Sequence, residues 1–198
     1  GGKMEQYCID NEINFRIIDS IHSPRASFVT YVYSILNVLN SILPINESDI
    51  LSSIDSLFEI HKQISSSNLT DSNPAINLAN WIVGIPLIYY PHGLQSAAIR
   101  LKSSLQENSK IHAMTEDVIE SCHNGIVAWE NSSVVQPILL RGTDDYIKTK
   151  ERFSIIEKYF TENKIDFQII NSVDGNILTK IISLIYLFDY STIYKAIL

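Results

Sequence analysis

The chain has 198 residues, 45% of them hydrophobic and 19% charged, which is enough for one full core and belongs to the globular rather than the disordered class. A formal net charge of −7 and a pI near 5.2 exclude nucleic acid as the main partner, while leaving room for a phosphorylated ligand held by local donors. The apolar runs IIDSI, WIVGIPLIYY and IISLIYLF are shorter than a membrane span, and no charged-then-apolar leader is visible at the start.

Cys8 and Cys122 show no metal-ligand spacing, so a reduced, cytoplasmic setting is the default expectation. The five histidines, His22, His61, His92, His112 and His123, form no HExxH or comparable pattern, and no metal is expected. Neither GxGxxG nor GxxxxGK[ST] occurs, so a nucleotide cofactor is not expected either.

In chain order, residues 1–10 read as a short helix with Met4 and Cys8 on one face. Asn14 to Ile21 reads as a strand from its Ile content and partial alternation. Pro24 marks a break, and Arg25 stands at the entry to a helix over 26–43. That helix is apolar on most sides (Phe28, Val29, Val32, Tyr33, Ile35, Leu36, Leu39) and should be largely buried. Pro44 closes it. Asn46 and Ser48 are credible caps for a helix over 49–65, and the polar run SSSNLTDSN leads to Pro74, a favourable first helical residue.

A short helix over 74–84 precedes the bounded apolar run PLIYY (Pro86 to Tyr90), which suits a buried parallel strand. His92 follows at the strand end, where open α/β sheets place ligands, although a turn role is the simpler reading. The next helix, 94–106, turns Ala97, Ala98, Leu101 and Leu105 inward and brings Glu107 to its C-terminal end. The partial negative charge there should raise the Glu107 pKa, with Lys110 acting in the opposite direction. Weak strand character at 111–114 precedes a better strand at 134–140, whose Pro137 points to an edge or bulge. A helix over 146–163, capped by Asp144 or Asp145, a strand at 167–170, a buried helix over 176–188 and a further one from Ile193 complete the chain. This alternation predicts a layered α/β fold with a mostly parallel sheet.

The chemistry gathers in Leu101 to Glu130, where Glu107, Lys110, Glu116, Glu120, Cys122, His123 and Glu130 crowd one short span. Carboxylate plus imidazole, here Glu107 and His123, is the minimum set for moving a proton and opening a ring. A buried structural thiol is the ordinary reading of Cys122, and Trp129 and Glu130 read as bracing for the His-bearing segment.

The words QENSK (Gln106 to Lys110) and HNGIVAWE (His123 to Glu130), together with PRAS (Pro24 to Ser27) and the closing GNILTKIISLIYLFDYSTIYKAIL, are similar to the bifunctional phosphoglucose/phosphomannose isomerase family of the sugar isomerase (SIS) superfamily. That family reads NENSK, HNEIVGWE and PRAA at the corresponding places. The resemblance implies an α/β/α SIS-type domain and an aldose–ketose isomerase that needs no cofactor. It would interconvert glucose 6-phosphate, and perhaps mannose 6-phosphate, with fructose 6-phosphate through a cis-enediol. It also implies roles: Glu107 shuttles the proton, His123 assists ring opening, and Arg25 holds charge developing on the enediolate. The site would lie at a homodimer interface, with the histidine supplied by the neighbouring subunit.

On the same basis residues 1–24 correspond to the last helix and strand of a preceding SIS domain, and 25–198 to the C-terminal SIS domain without the family's DPTPV-like tail. Three departures bear on activity: Gly125 stands where the family has Glu, Tyr90-Pro91-His92-Gly93 replaces a Tyr-Gly start to that loop, and the Ser/Thr-rich phosphate loops of the first domain are missing. A non-catalytic sugar-phosphate-binding or interaction module is therefore the alternative.

Overall fold

The computed structural model describes residues 2–18 and 23–198, without the side chains of Pro24 and Arg25. Two compact units are present, Gly1–Glu47 and Ser48–Leu198.

The first unit begins with helix α1 (Gly2–Asp10), closed by Glu12 in the left-handed region (φ 54). The strand expected from Asn14 does not form over 14–18. Peptide groups in a strand need a neighbour, and Phe15 and Ile17 here are exposed. The remainder of that stretch, 19–21, lies outside the described residues. A 3-10 turn over Pro24–Ser27 feeds helix α2 (Phe28–Val38). This helix is shorter than the expected 26–43, because the chain unwinds into turns before Pro44. It also has no buried residue, contrary to expectation: a unit this small supplies too little second layer to cover it.

In the second unit, α3 (Glu47–Ile64) and α4 (Pro74–Trp81) are joined through buried Asn73. Its side-chain oxygen accepts from the Ala75 and Ile76 N–H groups (2.9 and 3.2 Å), and its amide donates to the Ile64 and Asn68 carbonyls. One side chain thus caps the new helix and closes the old one. α4 stops at Trp81, earlier than expected, because Gln136 captures the chain. Its Oε1 accepts from Val83 and Gly84, and its Nε2 donates to the Trp81 carbonyl. Gly84 is obligatory there, since a Cβ would lie 2.1 Å from the Val134 carbonyl oxygen.

Four strands follow: β1 (Ile85–Tyr90), β2 (Met114–Asp117), β3 (Val135–Arg141) and β4 (Gln168–Asn171). They form an all-parallel sheet in the order β2-β1-β3-β4. The layered α/β fold is therefore as expected. β2 is displaced from the expected 111–114. Pro137 occurs in an interior strand, but one residue before the pairing with β4 begins at Ile138, where β3 is locally still an edge and a missing N–H is tolerated.

Alternation along the strands divides the core. Tyr89 and Leu139 pack with Val118, Phe153, Ile156 and Phe160, the last three from α7 (Ile147–Glu162). Ile88, Ile138 and Leu140 are left for the other face, covered by α5 (Gln95–Ser104) and α8 (Ile177–Ile197). Neither Asp144 nor Asp145 caps α7; Tyr146 holds that position without a side-chain cap. Asp145 turns back to the Gly142 N–H (2.8 Å), and Asp144 pairs with Lys180.

α8 is one continuous helix of 21 residues rather than two. No Gly or Pro interrupts 177–197, and Asp189 is engaged by Arg100 instead of competing for its own backbone. Among the described helices it is the one long and apolar enough to cross a membrane, but half of its apolar window is buried in this unit. Ser183, Ser191 and Thr192 are among its buried residues, and it packs as the spine of the domain.

Candidate active site

α5 begins beside the end of β1 and runs back along the sheet. At Leu105–Ser109 it widens into a π-turn, a form of helix that concentrates at functional sites. Buried Leu101 and Leu105 hold its inner side. Asn108 Nδ2 donates to Thr192 Oγ1 (2.8 Å), and Ser109 Oγ to the Thr192 carbonyl (3.0 Å). One turn earlier, Arg100 Nε and Nη2 clasp the two Asp189 oxygens (2.8 Å each), and Ser104 Oγ adds a third contact at 3.2 Å. Lys110, left-handed at φ 59, ends the turn.

Glu107 thus stands exposed on a closed and well-braced helix end, as the sequence places it. The Lys110 ammonium is held at the same helix end. It donates to the Glu107 main-chain carbonyl at 2.7 Å, an orphan acceptor of the helix terminus.

His123 belongs to a different part of the domain. β2 leads into the single-turn helix α6 (Val118–Ser121), whose N–H groups at Ile119 and Glu120 are capped by Asp117. His123 follows, its N–H bonded to the Glu120 carbonyl (2.9 Å), and then a 3-10 helix over Gly125–Glu130. Trp129 anchors this segment: its indole N–H donates to the buried Tyr89 hydroxyl (2.9 Å), and its ring meets Phe160 edge-on at 5.1 Å. Trp129 is bracing, as the sequence reading has it. Burial pushes the Cys122 thiol up, which favours the structural thiol over a thiolate nucleophile. The Tyr89 hydroxyl is pushed up to about 12, chiefly by burial.

Glu107 precedes β2 and His123 follows it, so one chain carries them toward opposite ends of the sheet. β2 alone, at about 3.3 Å per residue, separates the two by roughly 10 Å. Arg25 lies in the 3-10 turn of the first unit, and its side chain is outside the described residues.

The carboxyl ends of β1 and β3, where the strand order reverses, hold a feature that the sequence reading reached only through His92. A crevice of about 440 Å³ opens there, lined among others by His92, Gly93, Asp145, Asn176 and Lys180. Lys180 is only 5% exposed and is held by Asp144, whose carboxyl its ammonium keeps below the ordinary range. Burial pushes Asp145 up, partly offset by the Gly142 N–H. The available signal was a lone lysine inside the apolar run ILTKIISLIYLF; the switch point itself depends on strand order.

The family model described as "Bacterial phospho-glucose isomerase C-terminal SIS domain" matches residues 71–198. Among solved structures, a glucose-6-phosphate isomerase-like protein from Thermus thermophilus is similar at TM-score 0.70 and 18% identity, covering 92% of this chain and 62% of that one. Glucosamine-6-phosphate deaminase from Thermotoga maritima is similar at TM-score 0.57 and 10% identity, covering 86% and 51%. The chain thus spans less than two thirds of either neighbour. No curated protein sequence matched. With a parallel sheet of SIS type and a family match over well more than half of its length, the chain belongs to the bacterial phospho-glucose isomerase C-terminal SIS domain family.

Proposed function

We propose that the domain is the base-bearing half of an aldose–ketose isomerase for glucose 6-phosphate, with mannose 6-phosphate as a second candidate substrate. The observation that carries this is Glu107, presented on a π-turn that Asn108 and Ser109 fasten to α8, with Arg100 and Ser104 fastening the end of α5 before it. A general base must be held within hydrogen-bond reach of its proton, and rigidity there is worth more than burial. Glu107 removes the proton from C2 of the open aldose, the electron pair forms the cis-enediolate, and the same proton returns to C1. The aldehyde carbon is reduced and the hydroxyl-bearing carbon oxidised within one molecule, so no cofactor enters the balance. Arg25 holds the enediolate oxygen, and His123 moves the ring-opening proton.

Following the family resemblance, the reading takes the histidine from a second copy in a homodimer. Residues 1–24 are the end of a preceding SIS domain, and the setting is cytoplasmic. The test is isomerisation of fructose 6-phosphate alongside calorimetric binding. Glu107→Gln should abolish turnover and retain binding; turnover surviving in that variant removes Glu107 from the role.

The crevice beside Lys180 favours a second reading, a sugar-phosphate-binding module without catalysis. There, binding persists without turnover in the unmodified protein and is lost in Lys180→Met.

A further inference from the structure

The segment after α6 contains the chain's one Asn–Gly pair, Asn124 and Gly125. Asn124 is exposed and holds the N-cap position of the 3-10 helix at φ −120 and ψ −43, yet its side chain makes no cap bond. The main-chain bonds of the turn run from the His123 and Asn124 N–H groups to the Glu120 carbonyl, at 2.9 and 3.4 Å. Among the described residues the Gly125 N–H meets no main-chain acceptor, and the Asn124 side-chain amide meets no partner. Other asparagines are engaged. Asn73 and Asn176 cap helices, and Asn108, which precedes a serine, is tied through Nδ2 to Thr192. An electrophilic amide carbon and an uncommitted nitrogen therefore follow one another in a single exposed turn.

We infer that Asn124 is a site of spontaneous modification, converted through a succinimide into aspartate and isoaspartate, so that the His123 turn acquires a carboxylate its sequence does not encode. The Gly125 nitrogen attacks Asn124 Cγ. The N–Cγ bond forms, the Cγ–Nδ2 bond breaks, and Nδ2 leaves as ammonia; the proton lost by the Gly125 nitrogen balances the one the leaving group takes up. Water then opens the ring at either carbonyl. Nothing is oxidised or reduced, and water is the one co-reactant. Glycine makes the attack feasible, because no side chain of its own shields the nitrogen. The group nearest to where such a side chain would start is the Glu116 carboxylate, 2.7 and 2.8 Å from an ideal β-carbon, and a carboxylate can take the nitrogen's proton. Attack needs a rotation about the Asn124 Cα–C bond, and no cap bond opposes it. Both products place a negative charge beside His123. Isoaspartate also adds a methylene to the main chain between His123 and its anchor, Trp129. Only an effect on turnover rests on the isomerase reading; the modification does not.

The experiment ages the full chain in mildly alkaline buffer and follows the tryptic peptide of residues 111–141 by mass spectrometry, with fragment spectra placing the change. A synthetic peptide of residues 119–129 in the same buffer sets the rate without a fold. The folded chain should convert at Asn124 before any other asparagine, at a rate comparable to the peptide's and rising with pH. The product should accept methyl groups from an isoaspartyl methyltransferase. Gly125→Ala should slow conversion severalfold and Asn124→Gln should abolish it, the second variant keeping the test readable if a β-carbon at 125 disturbs the turn. An Asn124 that stays an amide in the folded chain while the peptide converts overturns the proposal, as does earlier conversion at another asparagine. Conversion in a chain that never isomerises fructose 6-phosphate upholds the modification and counts against the isomerase reading alone.

Discussion

The two segments that carry Glu107 and His123 are held in different ways. The Glu107 turn continues a ten-residue helix and is fastened to α8 at two levels, through Asp189 and through Thr192. The His123 segment consists of one helical turn and a 3-10 stretch, and hangs on Trp129, Ile126 and the aromatic cluster around Phe160. Directional polar contacts fix an orientation, whereas apolar contacts fix a depth and leave the approach angle adjustable. The base role proposed for Glu107 needs the former. The role proposed for His123, on a site of another copy, is served by the latter.

Breaking the looser side should have the largest effect on stability. Phe160 is fully buried and lies against Tyr89, Trp129, Tyr159 and Phe167. Phe160→Ala should cost about 3–5 kcal/mol, seen as a lowered denaturation midpoint. Trp129 fluorescence should report loosening of the His123 segment first, while amide-exchange protection at the Glu107 turn is affected less.

Breaking the fastened side should cost less stability and, on the proposed isomerase reading, more catalysis. Asp189→Ala removes the acceptor that Arg100 and Ser104 share, and with the pair about a fifth exposed the loss should be roughly 2 kcal/mol. The π-turn then loses its upper tie. Turnover of fructose 6-phosphate should fall further than the denaturation midpoint predicts, with KM little changed. An equal fall in both would mean that the brace serves folding alone.

The smallest effect sharpens the contrast through pH. The folded-state pKa of Glu116 is raised, so the folded protein binds this proton more tightly than the unfolded chain. The associated stability is fully present below the ordinary glutamate range and is lost as pH rises through the raised value. Glu116→Gln should therefore be more stable than the unmodified chain at neutral pH, with the difference vanishing in acid. Denaturation midpoints across pH check the sign; a difference that grows in acid contradicts it.

The elements legible in the sequence were those whose cues are local. Pro74 as a first helical residue, the bounded run at 86–90, and the amphipathic stretch at 146–163 all fold within a residue of where the sequence puts them. What escaped depends on distant partners. α4 ends early because Gln136, in a strand far along the chain, takes its last carbonyl. α8 continues through Asp189 because Arg100 neutralises it. Asp144 looks like a cap and is spent on Lys180. The chemistry-bearing words QENSK and HNGIVAWE were visible, and so was a strand between them, expected at 111–114 and formed at Met114–Asp117. Glycine at 125 reads as a loss in the sequence; in the fold the space is already filled by Glu116.

The sheet's two outer strands meet solvent on different terms. β2 ends in Glu116 and Asp117, and a charged border discourages a second sheet from adding to it. β4 offers Gln168, Ile169, Ile170 and Asn171 with no charge among them, beside a groove lined by Ile60, Leu78 and Leu187. Its safeguard is brevity. Four residues present a template of roughly 10 Å, too few peptide groups to hold a foreign strand in register. Colloidal behaviour of the domain is thus set by how soon the chain leaves β4: substitutions at Val173 that prolong the strand would turn a benign border into a seed for edge-to-edge assembly.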